Sequence, residues 1–130
     1  MDFPENLRYT KEHEWVRLEK DGSVVTGITD YAQDQLGDIV FVQLPEPSEE
    51  YVDKDEPFAE VESVKAVSDI YCPVAGKVVE VNSELPLTPE VLNEDPYGDG
   101  WLVRIEPAEE DFLDELMDVE SYRAFVDELT

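Results

Sequence analysis

One lysine in this chain sits inside a pattern that asks for an explanation. Reading outward from Lys65-Ala66, Val64 matches Val67, Ser63 matches Ser68, Glu62 matches Asp69 and Val61 matches Ile70. A palindrome of residue type fits two antiparallel strands closed by a two-residue turn, where residues directly opposite pair like with like. The pattern predicts Lys65 at the tip, with Val61, Ser63, Ser68 and Ile70 sharing one face. Lys-Ala is poor turn chemistry, because two-residue hairpin turns favour Asn-Gly and other glycine-containing pairs. Glu62 opposite Asp69 also sets like charges across the pair. A place where local rules are broken is a candidate functional site. The plain alternative is a solvated charge, the ordinary state of an exposed lysine. A Schiff-base lysine would need to be desolvated, and a hairpin tip is the wrong place for that.

Other reactive side chains form no competing pattern. His13 is the only histidine and Cys72 the only cysteine, and neither a Ser-His-Asp nor a Cys-His constellation is identifiable. His13 is expected to pack near the first strand, and Cys72, just before Pro73, to be a small core residue. The carboxylates are many but lack metal-ligand spacing such as an EF-hand loop. Asp21-Gly22 and Asp99-Gly100 read as turns. The expectation is a chain with no catalytic residues and no metal site.

The elements that must position Lys65 are short. Glu14 to Leu18 and Ser23 to Ile28 read as strands joined by Lys20-Asp21-Gly22, whose Asp-Gly is a hairpin signal. Asp30 to Gln33 resembles a capping box for a short helix from Tyr31 to Leu36, with Gly37 as its stop. Ile39 to Leu44 reads as a mostly buried strand closed by Pro45 and Pro47. Further strands are expected over Phe58 to Val64, Val67 to Tyr71 and Lys77 to Asn82. Thr88 is the expected N-cap of one helical turn from Pro89 to Asn93. From Trp101 to Glu106 the alternation predicts a half-buried strand, with Trp101, Val103 and Ile105 on one face. The period then changes. Glu109 to Met117 and Val119 to Leu129 carry apolar residues at helical spacing, a helical tail over about residues 108–130. The whole, 1–130, is read as one domain.

Charge narrows the partners. Thirty-four acidic residues against nine basic ones give a formal net charge of -25. Such a surface repels nucleic-acid phosphates, disfavours anionic membranes and favours partners with basic docking surfaces. The N-terminus shows no apolar signal region, and no run approaches the roughly 20 residues of a membrane helix. A single cysteine permits no internal disulfide. A cytoplasmic protein is expected, or a mitochondrial matrix protein if the chain is a processed mature form.

Glu62-Ser63-Val64-Lys65-Ala66 followed by Ser68-Asp69-Ile70 resembles the lipoylation segment of glycine cleavage H-proteins. The resemblance runs along the chain in family order. It includes Tyr9 to Val16 (YTKEHEWV), Gly27-Ile28-Thr29, Tyr31-Ala32-Gln33 and Leu36 to Val42 (LGDIVFV). Pro73-Val74, Val78 to Asn82 (VVEVN), Asp95-Pro96-Tyr97-Gly98 and Gly100-Trp101-Leu102 continue it. It departs at Ser48 and Asp55, where the family usually has glycine, and at Glu12 and Gln35, where some relatives have Ser and His. Val67 replaces a smaller residue.

The resemblance implies a mainly β fold, a barrel-sandwich hybrid of antiparallel sheets with short helices and a helical C-terminus. It implies a non-catalytic carrier whose lipoate is amide-linked to Lys65. In the family, lipoate accepts the aminomethyl group of glycine from the pyridoxal-phosphate decarboxylase (P-protein). It then passes the one-carbon unit to the tetrahydrofolate-dependent aminomethyltransferase (T-protein), and dihydrolipoamide dehydrogenase (L-protein) reoxidises it. A lipoate ligase or a lipoyl/octanoyl transferase attaches the group. The resemblance places an arm cleft at Glu14, Ile28, Leu36 and Asp69. Biotin carriers share the architecture but flank their lysine with methionines, unlike Val64-Lys65-Ala66. Lipoyl domains of 2-oxoacid dehydrogenases have Asp-Lys-Ala at the tip and lack the long extensions. An H-protein-like relay that donates lipoyl or octanoyl groups to other proteins uses the same lysine and is the remaining alternative.

Overall fold

Short strands punctuated by turns build two antiparallel sheets in the computed structural model, which describes residues 1–129. The strands are β1 (Arg8–Tyr9), β2 (Glu14–Leu18), β3 (Val24–Ile28), β4 (Ile39–Gln43), β5 (Pro57–Ser63), β6 (Val67–Tyr71), β7 (Gly76–Val81) and β8 (Val103–Pro107). One sheet has the order β1-β2-β3-β8-β7, the other β4-β5-β6. Helices α1 (Asp30–Leu36), α2 (Val91–Glu94) and α3 (Val119–Leu129) fill the connections and the tail. This is the mainly β arrangement of antiparallel sheets that the strand rhythm and the family resemblance together lead one to expect.

Turn chemistry explains the first hairpin. Glu19 N–H donates to Ser23 O at 2.8 Å, leaving Lys20-Asp21-Gly22 as a three-residue loop with Gly22 at φ 89°. That left-handed position is where such loops place glycine. Asp21 Oδ1 accepts from both the N–H and the hydroxyl of Ser23, which holds its carboxyl below the usual range.

Two cores sandwich the larger sheet. β3 is buried along its whole length. Val24 and Ile28 face a core shared with Val42, Val61 and Ile70 of the smaller sheet. Val25 and Trp15 face a second core made with Tyr9 and the α3 residues Val119, Tyr122 and Val126. Gly27 lies directly under Trp15, where a methyl group would come within 2.8 Å of the indole. The close approach requires glycine. Tyr9 and Tyr122 stack with centroids 4.6 Å apart, and the Tyr122 hydroxyl lies 2.8 Å from both Thr29 Oγ1 and His13 Nδ1. The C-terminal helix is thereby tied to the start of α1.

Several expectations need correction. The N-cap of α1 is Thr29, whose Oγ1 accepts from Ala32 N–H at 3.2 Å, one residue before the expected Asp30; Gln33 does reach back to Asp30 Oδ1. Thr88 does not cap α2, because its hydroxyl donates back to Glu84 O. Leu102 is fully buried alongside Val103 and Ile105, so the alternation fails at the start of β8, where Leu102 N–H donates to Thr26 O. Only Phe112–Glu115 of the first tail segment is helical, as a single 3-10 turn. The second tail segment is α3, although Leu129 is exposed. Thr130 lies outside the described residues.

The largest correction concerns the lysine hairpin. Glu62 pairs with Val67 and Val61 with Ser68, and Ser63 N–H donates to Ala66 O at 2.8 Å. The two-residue turn is therefore Val64-Lys65, not Lys65-Ala66, and the register slips by two from the palindrome. Neither turn residue has positive φ, so the turn does not need the glycine that the primed turns demand.

Candidate functional site

Lys65 is exposed at the β5–β6 tip, on a backbone that several groups hold in place. The buried Ser63 hydroxyl accepts from Lys65 N–H at 3.2 Å and from Ala66 N–H at 3.0 Å. A serine hydroxyl bonding the backbone two and three residues on is a standard local turn device. Val64 N–H donates to Asp38 O at 3.1 Å, which ties the tip to the residue before β4. The Lys65 side chain crosses the face of Gly37. A methyl placed there would stand 3.4 Å from Lys65 Cε and 3.9 Å from Nζ. Gly37 ends α1 at φ 81° and donates to Gln33 O, a positive-φ helix stop that favours glycine, while a side-chain carbon there would meet the lysine only at ordinary contact distance.

Asn93 braces that crossing from below. Its Oδ1 accepts from Ile39 N–H at 2.9 Å, and its Nδ2 donates to Gly37 O at 2.8 Å and Gln33 Oε1 at 3.1 Å. One side chain on α2 thus fixes both sides of the Gly37-Asp38 link. Sequence reasoning missed this role and missed the Asp38 carbonyl. The available signal was a polar Asn directly after Val91-Leu92 in a helix that packs on the core.

The expected cleft residues divide. Glu14 and Ile28 are direct cross-strand partners, and Leu36 packs against the same core as Ile28. Glu14 is only 2% exposed. Its Oε1 accepts from the Thr10 hydroxyl at 2.6 Å. Burial pushes its pKa up to about 7, aided by repulsion from Glu12 and Asp55 and opposed by hydrogen bonds from Thr10 and the Tyr71 backbone. A carboxyl that titrates near neutrality beside apolar walls can hold or release a proton. Asp69 stands apart. It is exposed on the outer face of β6 opposite Glu60, on the other side of the strand from Ile70.

The remaining reactive groups are structural. Cys72 is fully buried, its thiol donates to Val74 O at 3.0 Å, and burial pushes its pKa up to about 12. A thiol held protonated is a poor nucleophile. His13 sits at φ 69° between β1 and β2, with burial pushing its imidazole pKa down. Asp55, at one of the family's usual glycine positions, has φ 70°.

The profile of the glycine cleavage H-protein family matches residues 7–129. The chain belongs to this family. Its relatives include the glycine cleavage system H protein of Oceanobacillus iheyensis, 56% identical over 97% of this chain and 98% of that protein. The Bacteroides fragilis H protein is 54% identical over the same shares. A crystal structure of a glycine cleavage system H protein from Mycobacterium marinum superposes with a TM-score of 0.85 at 41% identity, covering 94% of this chain and 97% of that one. As a family member, the chain has the two-sheet fold of that structure.

Proposed function

We propose that this chain is the lipoyl carrier of the glycine cleavage system, with lipoate in amide linkage on Lys65. The observation that carries the reading is an exposed lysine on a hydrogen-bonded turn, within Glu62-Ser63-Val64-Lys65-Ala66, in a chain of this family. The residues fit the group. The lysine is accessible and the turn that bears it is fixed.

When bound, lipoate supplies a dithiolane whose sulfurs carry the one-carbon unit and the redox change. The chain supplies position. Ser63 and Asp38 hold the tip, and Asn93 holds the link beneath it. Glu14, whose pKa burial pushes up to about 7, would be driven toward its charged form by a cationic group brought beside it. The chain acts as a non-catalytic component, served by P-, T- and L-proteins and loaded by a lipoate ligase or a lipoyl/octanoyl transferase. None of its described helices is long and apolar enough to cross a membrane, and we place it in the cytoplasm.

The test is glycine decarboxylation reconstituted with wild-type chain and Lys65→Arg, with intact mass on both. Arg keeps the charge but offers a delocalised guanidinium too weakly nucleophilic to be acylated. The wild type should gain a lipoyl adduct and support turnover, and the variant should fold, gain nothing and support none. Turnover by Lys65→Arg, or a biotin adduct on the wild type, overturns the reading.

A further inference from the structure

The large apolar side chains that this three-stranded sheet and its turn leave exposed gather at the end that carries Lys65. Val40 is 49% exposed, Phe41 47%, Val64 71% and Val67 59%. These are four of the ten large hydrophobic side chains exposed among the described residues. Register sets them together. Phe41 lies opposite Glu62, and Glu62 opposite Val67, so Phe41 and Val67 flank the Glu62 carboxylate in one row across β4, β5 and β6. With strands about 4.8 Å apart, that row is about 10 Å wide. Val64 opens the turn at its end. Val40 occupies the irregularity where the β4 register shifts between Ile39 and Phe41, and two consecutive side chains face water there instead of one.

Charge frames the patch. The next row holds Gln43, Glu60 and Asp69. Lys65 is the only cation in the three strands and the turn, which also carry Glu62. Single exposed hydrophobics are ordinary, whereas a cluster rimmed by polar groups marks an interaction surface.

We propose that Val40, Phe41, Val64 and Val67 form the docking surface for the enzyme that acylates Lys65, an enzyme with an apolar active-site mouth rimmed by Lys and Arg. The proposal rests on the reading of Lys65 as the lipoyl site. Acylation needs the neutral Nζ to attack the carbonyl carbon of an activated acyl donor. The C–N bond forms, the donor's leaving group departs with its bonding electrons, and Nζ loses a proton to the enzyme. Nζ stands only a side chain's length from the backbone, so a pocket that swallows it must press its rim against the turn's neighbours. Val64 and Val67 are the nearest, and Phe41 lies one strand beyond. The acidic surface, Glu62 included, steers a basic partner from a distance, and Phe41, Val64 and Val67 around that carboxylate supply the apolar contact once water is displaced. A second copy of this chain fits poorly, because acids would face acids across the rim.

The experiment uses unmodified full-length chain, a lipoate–protein ligase, lipoate and ATP. Intact mass gives the rate of modification, and calorimetry gives direct binding of the unmodified chain to the ligase. Phe41→Ser and Val67→Ser should each raise KM for the chain about tenfold with kcat nearly unchanged, and weaken direct binding to match. Leu87→Ser, at an exposed leucine outside this sheet, should change neither. Raising KCl to about 0.3 M should raise KM for the wild type as the rim is screened. Circular dichroism melts check that the variants fold. Wild-type KM in Phe41→Ser and Val67→Ser overturns the proposal, as does sedimentation showing that these changes dissolve a dimer, which would give the patch to a second copy. If the wild type itself takes no adduct on Lys65, it is the lipoyl reading that fails.

Discussion

Replacing Glu14 with Gln should flatten the pH dependence of stability near neutrality. The carboxyl is buried and its pKa stands at about 7, against 4.5 for the free group. A group whose pKa is higher folded than unfolded favours the folded state fully below the unfolded value, and that contribution disappears as pH rises through the folded value. The window here is therefore pH 4.5 to 7. At about 1.4 kcal/mol per pH unit, the wild type should lose about 3 kcal/mol from this group across it, most of it between about pH 5 and 8. Glu14→Gln keeps an oxygen to accept from the Thr10 hydroxyl and removes the titration. The amide adds a fixed offset in stability but no slope. Urea unfolding of both proteins at half-unit steps from pH 5 to 8 gives the difference curve. Wild type should fall toward or below the variant as pH rises. Parallel curves would show that Glu14 ionises in the fold as it does in the unfolded chain, and the reasoning from burial would be wrong.

Asp55→Gly should stabilise the protein by about 0.5–1 kcal/mol in urea unfolding, because Asp55 holds φ 70° and an L side chain is strained there. The same change removes a charge that repels Glu14, so the Glu14 midpoint should move down when followed by NMR. Asn93→Ala leaves Ile39 N–H and Gly37 O without their partner and should cost about 2 kcal/mol in urea unfolding. Modification of Lys65 should also slow, as read by intact mass. With a net charge of -25, the melting midpoint should rise as KCl goes from about 0.01 M to about 1 M, where the Debye length drops from about 30 Å to about 3 Å. Sucrose serves as the control for general exclusion, and a flat KCl series would remove charge repulsion as a limit on stability.

The strands were legible because their apolar residues alternate and turn residues bound them; β6 and the Asp-Gly hairpin lie where the sequence puts them. The lysine turn was not, and the reason is specific. A slip of two residues keeps every side chain on its face, so Val61, Ser63 and Ile70 point inward in either register and the hydrophobic pattern cannot choose between them. Like-with-like matching chose wrongly. The choice is made by the Ser63 hydroxyl and the Asp38 carbonyl, hydrogen bonds that a palindrome does not contain. The missed N-cap has a similar origin, since Thr29 and Asp30 are both good caps and only the backbone decides. The reading of Lys65 as the attachment site comes from the resemblance, and Gly37 is the helix stop that the sequence signalled. Asn93 could not be found locally, because its partners Gln33, Gly37 and Ile39 are more than 50 residues away.

The Ser63 turn makes the end of the hairpin a pivot, not a whip. A long or glycine-rich loop would add its own length and disorder to the reach of whatever hangs from the lysine, spreading it through a larger volume. With lipoate on Lys65, as proposed, the tether would begin at an anchored Cα, and the swept sphere would be set by the side chain and its cargo alone. A smaller sphere means a higher local concentration at any catalytic centre inside it and none outside it. Enzymes that share this carrier must therefore take turns at the same doorstep.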